Sequence, residues 1–302
     1  MSNHENNGLL LPGLDGSNPL GFLAALGVLR LPGRLLDLKM QWVFHKGRYS
    51  PVVSPGFDEP SDLVKIIYDE LKKLSRAPWK ISKKLPYEYK LFSEEASAAV
   101  QSATVSDRYD ADVIAGYGAP ISNEKDEFED TELRMVRSGD SAGNGLLAYA
   151  ERIHTTTSSE DIELALFHDW KFADEKCALR WDPQEDRAYA TRWTNPSKES
   201  TLSQRGSNRL ALEGLACLPV IPGKHHATTT AFTDVGRARK SFTWPLWGHS
   251  IGCDVAQSLL RTNLADQEFS EVGPRGIIAV YECHRIMTSQ YYANFTPARR
   301  IA

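Results

Sequence analysis

The sequence lacks the cysteine patterns of disulfide-rich and zinc-binding proteins. Its four cysteines, among 302 residues, lie at least 30 positions apart, and none belongs to a C-x-x-C pair. Small secreted domains use closely spaced disulfides to supplement a small core, and structural zinc sites use closely spaced Cys or His ligands. We therefore expect free thiols and a cytoplasmic protein.

The sequence also lacks a hydrophobic run long enough to cross a membrane. The apolar run at residues 20–29 has ten residues, about half of what a spanning helix needs. It is preceded by MSNHENN, which contains no Lys or Arg, whereas a secretory signal has a basic flank before its apolar part. We expect no membrane partner.

Motifs for nucleotide binding and metal-dependent hydrolysis are missing too. The sequence contains no G-x-G-x-x-G, no Gly-Lys-Ser/Thr loop and no H-E-x-x-H. Residues 248–252, GHSIG, have the G-x-S-x-G spacing, but we interpret them as a loop before a helix, since the members of a catalytic triad meet through the fold and not through sequence proximity. The segment DRYDAD supplies Asp107, Asp110 and Asp112, but it lacks the Gly and Glu of a calcium loop. We expect no cofactor, no metal and no enzymatic activity, with a metal-dependent phosphodiesterase based on these three aspartates as an alternative.

Positive charge is concentrated locally although the formal net charge is −4. Residues 72–90, KKLSRAPWKISKKLPYEYK, contain seven Lys or Arg and one Glu, with aromatic residues between them. Cations neutralise phosphates and flat rings stack on unpaired bases. The segment therefore predicts a nucleic-acid-binding surface in which Trp79 stacks on a base. Its predicted phosphate-binding residues are Lys72, Lys73, Arg76, Lys80, Lys83 and Lys84.

A second predicted contact zone consists of arginines. In CALRWDPQEDRAYATRW, residues 177–193, aromatic residues alternate with other residues as in two strands, so inward-facing rings would leave Arg180 and Arg192 facing outward. The segment RGSNR adds Arg205 and Arg209, and the pair Arg299–Arg300 is a further cationic spot. The planar guanidinium group suits phosphate oxygens.

The pattern of elements predicts an α+β fold with mixed, mainly antiparallel sheets. In LDGSNPLGFLAALGVLR, Ser17 or Asn18 can cap a helix that begins at Pro19 and, being apolar on all sides, is buried. RGSNRLALEGLACLP predicts another helix, capped by Ser207 or Asn208. KSFTWPLW and RGIIAVYECHRI read as strands. Residues 121–145 form an acidic loop or linker between regions 1–120 and 146–302, unless these form one continuous domain.

Three segments resemble proteins of type I-G (formerly I-U) CRISPR–Cas systems, of the large-subunit-like or helicase–nuclease-accessory kind. They are LDGSNPLGFLAALGVLRL, LRWDPQEDRAYATRWTNPSKESTLSQRGSNRLALEGLACLPVIP and TWPLWGHSIGCDVAQSLL. In the first, the residues that match the family's opening block are Asp15, Asn18, Pro19, Gly21, Phe22, Ala24, Gly27 and Leu29.

The resemblance implies a role in RNA-guided antiviral defence. The chain would be a non-enzymatic subunit of an interference ribonucleoprotein, and its partners would be CRISPR effector subunits and guide RNA or target DNA. It supplies no catalytic residues, and Asp15, Asn18 and Pro19 are expected to be architectural. A protein–protein adaptor of the same system, without nucleic-acid binding, is the other reading.

Overall fold

The structure is a computed structural model that describes residues 8–72, 76–136, 145–185, 201–223, 226–236, 239–265, 267–287 and 292–302. These residues form helices and small antiparallel sheets, which confirms the predicted α+β class. The helices are α1 (Pro19–Leu36), α2 (Pro60–Leu71), α3 (Pro78–Ile81), α4 (Tyr89–Ser102), α5 (Tyr109–Tyr117), α6 (Leu146–Thr156), α7 (Ser159–Phe167), α8 (Arg205–Gly214), α9 (Cys253–Leu260) and α10 (Phe269–Val272). None of the described helices is long and apolar enough to cross a membrane.

The strands pair only in antiparallel fashion where the structure describes them. One sheet has the order β1-β3-β2, and a larger sheet has the order β10-β11-β12-β13, with β14 also paired to β12; two-stranded sheets are β4-β5, β6-β7 and β8-β9. The strands are β1 (Leu9–Leu10), β2 (Lys39–His45), β3 (Arg48–Ser54), β4 (Gly118–Ser122), β5 (Phe128–Asp130), β6 (Asp174–Glu175), β7 (Leu202–Ser203), β8 (Val220–Pro222), β9 (Ala227–Thr229), β10 (Phe232–Asp234), β11 (Lys240–Trp247), β12 (Ile277–Met287), β13 (Ala293–Phe295) and β14 (Arg299–Arg300).

Helix α1 is the buried helix that the sequence predicts. Asn18 is its cap, and the side-chain oxygen of Asn18 accepts hydrogen bonds from the backbone N–H groups of Leu20 and Gly21. Pro19 takes the first helical position, where no N–H partner is needed. The apolar surface of the helix is almost wholly enclosed by neighbouring elements.

Helix α8 packs closely on α1, and it begins earlier than the sequence predicts. Its first residue is Arg205, so Ser207 and Asn208 lie inside the helix and the prediction that one of them is the cap is wrong. The close approach depends on glycine: a Cβ at Gly27 would overlap the Leu210 carbonyl oxygen, and one at Gly214 would overlap the Leu23 carbonyl oxygen.

This packing gives a prediction for α1. Gly27→Ala should lower the free energy of unfolding by about 1–3 kcal/mol, since the new methyl group meets backbone atoms and the helices must separate. Gly33→Ala on the same helix is the matched control, because no atom lies within 4 Å of a Cβ there. That control should be neutral or slightly stabilising. Chemical unfolding followed by tryptophan fluorescence measures both, and equal effects of the two variants would contradict the packing argument.

An aromatic core joins α1 to both larger sheets. Phe22 of α1 lies 6.1 Å from the Trp42 ring of β2 and 5.7 Å from the Trp244 ring of β11. The main hydrophobic cluster also contains residues from each of the two predicted regions, such as Phe92 and Leu210. Strand β4, residues 118–122, runs from the first region into the acidic stretch of residues 121–145, and β5, residues 128–130, lies within that stretch.

The predicted strand pair at residues 177–193 is wrong for the part that the structure describes. Residues 177–182 form no strand, and residues 183–185 form a short 3₁₀ turn. Trp181 is fully buried, and its indole N–H donates to the Leu133 carbonyl oxygen at 2.8 Å. The Trp181 ring is therefore buried without the alternation of inward and outward side chains that a strand would impose. Residues 186–193 lie outside the described residues.

Candidate nucleic-acid interface

The lysines of the predicted basic segment are exposed but largely share their charge with carboxylates. Lys83 pairs with Glu151, and Lys84 pairs with Glu127. Lys72 is exposed, with its ammonium 3.9 Å from the centre of the Tyr68 ring. Lys80 is exposed as well, and Lys73 lies outside the described residues. Carboxylates from other elements therefore neutralise part of the segment's charge, and this surface is less cationic than the sequence indicates.

The expectation that Trp79 is available to stack on a base is wrong. Its side chain is 4% exposed. The ring centre lies 6.2 Å from that of Tyr117 and 5.6 Å from that of His154. Arg76, three residues earlier, is half-buried between Glu95 at 3.5 Å and Asp110 at 3.6 Å. The Trp79 ring therefore belongs to the hydrophobic core.

The expectation that Arg180 faces outward is also wrong. Arg180 is 7% exposed and has a left-handed backbone conformation with φ 62°. Its guanidinium donates to the Asn294 side-chain oxygen at 2.9 Å and lies 4.4 Å from the centre of the Tyr292 ring. Arg192, its predicted partner, lies outside the described residues. A buried guanidinium held in this way is not placed to meet phosphate.

The two arginines of RGSNR are held by carboxylates. Arg205 contacts Asp174 at 2.8 Å and Asp161 at 3.4 Å. Arg209 is buried, and its guanidinium donates to Glu213 at 2.8 Å. The described members of the predicted contact zones therefore do not form one cationic surface.

The aspartates of the phosphodiesterase alternative each have a local structural contact. Asp107 accepts a hydrogen bond from the backbone N–H of Tyr109. Asp110 pairs with Arg76, and Asp112 pairs with Arg108 at 2.9 Å. Within the described ranges no group of three or more His, Cys, Asp or Glu side chains is arranged to hold a metal ion. The structure gives this alternative no assembled site.

A different surface combines cations with exposed rings, at the tip of the β2–β3 hairpin. The turn residues Lys46 and Gly47 both have positive φ, 48° and 87°, as a tight two-residue hairpin turn requires. Phe44 and Tyr49 are cross-strand partners, and their ring centres lie 5.4 Å apart. Phe44 is 68% exposed. The hairpin extends beyond the core. Phe44 therefore faces solvent, although it lies on the same face of β2 as the buried Trp42.

The charges on this hairpin are basic throughout. From Lys39 to Phe57 the sequence contains no Asp or Glu. Arg48 donates to the Pro12 carbonyl oxygen and pairs with the exposed Asp169 at 3.0 Å. Lys46 is exposed and has no ion-pair partner among the residues that the structure describes. The tip therefore offers a free cation beside two rings.

The C-terminal strand adds to the same surface. Tyr281 of β12 and Arg300 of β14 are cross-strand partners. Burial raises the pKa of Tyr281, with smaller effects from Tyr49 and Asp15, which raise it, and from Arg300, which lowers it. The Tyr281 ring stacks on Trp244 at 6.1 Å between ring centres, the Trp244 indole donates to the Gly16 carbonyl oxygen, and the Gly16 N–H donates to the Tyr49 carbonyl oxygen, so Tyr281 lies near the hairpin. We define the hairpin surface as Phe44, Lys46, Arg48, Tyr49, Tyr281 and Arg300; Asp15 and Asp169 lie at its edge.

Buried polar contacts join the first two of the three segments that carry the family resemblance and hold the second segment together. The Asn18 side-chain amide donates to Asp182 at 2.8 Å. Ser203 donates to Glu185, and the Asn208 amide donates to Ser203 at 2.7 Å. Burial raises the pKa of Asp182, and it raises the pKa of Glu185 to about 8. Glu185 and Ser203 are enclosed, so this cluster braces the fold and offers no open reaction site.

Hydrogen bonds also hold the loop of residues 14–18, which lies next to the hairpin surface. The Gly16 N–H donates to the Tyr49 carbonyl oxygen at 2.8 Å, and the Trp244 indole N–H donates to the Gly16 carbonyl oxygen at 2.9 Å. Residues 14–18 thus link the hairpin to the larger sheet. Asp15 caps this turn by accepting from the Ser17 N–H and hydroxyl.

Reasoning from the sequence missed the hairpin surface. The segment FHKGRY shows aromatic residues flanking a Lys-Gly turn, which was a usable signal. Strand alternation, however, places Phe44 on the same face as the buried Trp42 and so predicts that it is buried. Only the length of the hairpin relative to the core reverses that prediction.

No protein-family model matches this sequence, and no curated protein is significantly similar to it.

Proposed function

We propose that this protein is a non-enzymatic subunit of a type I CRISPR–Cas ribonucleoprotein and that it contacts nucleic acid through the hairpin surface. The pathway rests on the resemblance of three segments to type I-G proteins. The contact rests on one observation: Phe44 is 68% exposed at a hairpin tip whose charges are all basic. A polyanion with flat bases is the partner that this chemistry fits.

The surface offers both kinds of contact that single-stranded nucleic acid requires. Lys46 and Arg300 supply charge for phosphates, and the Arg300 guanidinium donates to main-chain oxygens of Ala302 and Ile278. Phe44 and Tyr49 supply rings, and each stacked base is worth about 1–3 kcal/mol. Arg48 can exchange the exposed Asp169 for a phosphate at little cost, since exposed ion pairs are weak.

The resembling segments support the same placement. Asn18 and Asp182 belong to two of these segments and meet next to the loop that holds Tyr49 and Trp244. The contacts of Gly16 link the hairpin to the larger sheet. The contact of Asn18 with Asp182 is consistent with the architectural role that the resemblance implies for Asn18.

Oligonucleotide binding at low and moderate salt tests the proposal. Fluorescence anisotropy with labelled single-stranded RNA, single-stranded DNA and duplex DNA should show binding that weakens as salt rises. The double variant Phe44→Ala/Lys46→Glu should bind about tenfold or more weakly, because it removes a stacking ring and reverses a charge.

The comparison variant replaces Lys80, Lys83 and Lys84 with Glu, and it should lose less affinity than the hairpin variant because Lys83 and Lys84 are already paired with carboxylates. Wild-type affinity in the hairpin variant together with a strong loss in the triple variant would instead assign the contact to the basic segment.

The adaptor reading is the second candidate, and the described ion pairs favour it. Lys83, Lys84 and Arg205 all share charge with carboxylates, and Leu35 and Val105 are exposed apolar residues suited to a protein partner. An adaptor would bind none of the oligonucleotides at low salt. It would still co-purify with effector subunits after nuclease treatment. A subunit held in the complex by nucleic acid would not need to do so.

A further inference from the structure

Two cysteines that are distant in sequence have their sulfur atoms in contact. Cys217 ends the 3₁₀ turn that follows α8, and Cys253 is the first residue of α9. Their Sγ atoms lie 3.7 Å apart. Both thiols are free. A disulfide has an S–S bond of about 2.0 Å, so the atoms need to approach by about 1.7 Å.

One of the two sulfurs can be reached from solvent. Cys253 is partly exposed and lines a cavity of about 610 Å³ bounded by the end of α1, the start of α5 and α9. Cys217 is fully buried behind it. A small reagent in the cavity therefore meets Cys253 first.

The environment favours a nucleophilic second sulfur. The hydrogen bond with Cys253 lowers the pKa of the Cys217 thiol, and the nearby Arg30 guanidinium lowers it as well, against the effect of burial. The same hydrogen bond and burial raise the pKa of Cys253, so Cys253 holds the proton that the two sulfurs share. The thiolate is the form that attacks another sulfur. Cys177 and Cys283 differ, since both are buried and burial raises the pKa of each, to about 12 for Cys177.

We propose that Cys217 and Cys253 form a dithiol site that a peroxide oxidises to a disulfide. As the Cys253 sulfur attacks one peroxide oxygen, it passes its proton to Cys217; the S–O bond forms, the O–O bond breaks, Cys253 becomes a sulfenic acid, and the hydroxide that leaves takes the proton from Cys217. The Cys217 thiolate then attacks the Cys253 sulfur, the S–S bond forms and a second hydroxide leaves. The two thiol protons convert these hydroxides to water, so two thiols and one hydrogen peroxide give one disulfide and two waters.

The disulfide would connect the end of α8 to the start of α9. It would close a loop that includes β8, β9, β10 and β11, and closing a loop of this size in the unfolded chain stabilises the folded state. The bond also fixes one wall of the cavity. The site is independent of the hairpin surface, so it stands or falls separately from the proposed function.

Peptide mapping of the intact wild-type chain tests the proposal. The protein is reduced, desalted and treated with graded hydrogen peroxide, and unreduced digests are analysed by mass spectrometry. The expected product joins the Cys217 and Cys253 peptides with loss of two hydrogen atoms, raises the Tm and is reversed by dithiothreitol. The Cys283→Ser variant should give the same cross-link.

The Cys217→Ser variant identifies the order of attack. It should accumulate a sulfenic acid on Cys253 that dimedone traps, whereas the wild type should give little adduct. Oxidation of wild-type Cys253 to sulfinic or sulfonic acid with Cys217 still reduced would overturn the proposal. So would oxidation of Cys177 or Cys283 before this pair. The wild-type mapping decides the matter even if the serine variant fails to fold.

Discussion

Replacing Glu213 with Gln should lower the free energy of unfolding by about 3–5 kcal/mol, because it leaves buried arginines without their counter-charge. Glu213 on α8 accepts from Arg30 at 3.0 Å, from Arg209 at 2.8 Å and from the Tyr109 hydroxyl at 2.5 Å. Burial opposes ionisation of Glu213, but Arg209 and Arg30 outweigh it, so its pKa is lowered. The carboxylate is thus the shared anion of a cluster joining α1, α5 and α8.

Denaturant unfolding of the wild type and the variant measures the loss. Glu94→Gln is a suitable control, since Glu94 is an exposed carboxyl on α4, and exposed substitutions usually change stability by less than 0.5 kcal/mol. A loss below about 1 kcal/mol for Glu213→Gln would show that the two arginines find other partners. Introducing Arg30→Met into the variant should recover part of the loss by removing one unpaired charge.

The second large expected effect is a free energy of unfolding that decreases as pH rises, because Glu185 is buried. Burial raises the pKa of Glu185 to about 8, whereas an unfolded chain has the ordinary value near 4.5. Between these two values the folded state holds a proton that the unfolded state has released. The free energy of unfolding should therefore decrease by about 1.4 kcal/mol for each pH unit in this window.

The direction of this pH dependence and the pH range over which it occurs can both be tested. The contribution is fully present below about pH 4.5 and is lost as pH rises to about 8. Glu185→Gln, which stays neutral, should flatten the profile and be more stable than the wild type at pH 8. Glu163→Gln, an exposed substitution on α7, should leave the slope unchanged. Parallel profiles for the wild type and Glu185→Gln would contradict a protonated Glu185.

Local signals were sufficient for several elements. The DGSNP segment predicts both the cap and the burial of α1, because capping depends on neighbouring residues and an all-apolar helix needs enclosure on every side. The strands in KSFTWPLW and RGIIAVYECHRI are likewise present as β11 and β12. In contrast, the alternation of aromatic residues around Arg180 and Trp181 does not correspond to a strand. Trp181 is buried although its segment is irregular.

The site was harder to predict than the fold. Charge clustering indicated the lysine segment, but ion pairing depends on residues far away in sequence: Glu151 is 68 positions from Lys83, and Arg205 is held by Asp161 and Asp174. The tertiary structure brings Tyr49 near Tyr281 through Gly16 and Trp244, and Tyr281 pairs with Arg300, a juxtaposition that no local pattern contains.

The sequence alone determined the α+β class, the buried first helix and the density of cations in particular segments, because propensity, capping and hydrophobic periodicity act over a few residues. The tertiary structure decided which of those cations face solvent without a carboxylate, which rings are enclosed, and which thiols touch. Those outcomes depend on packing between elements, where groups that are distant in sequence share one environment, as the Gly16 carbonyl oxygen and the Trp244 indole do across 228 positions.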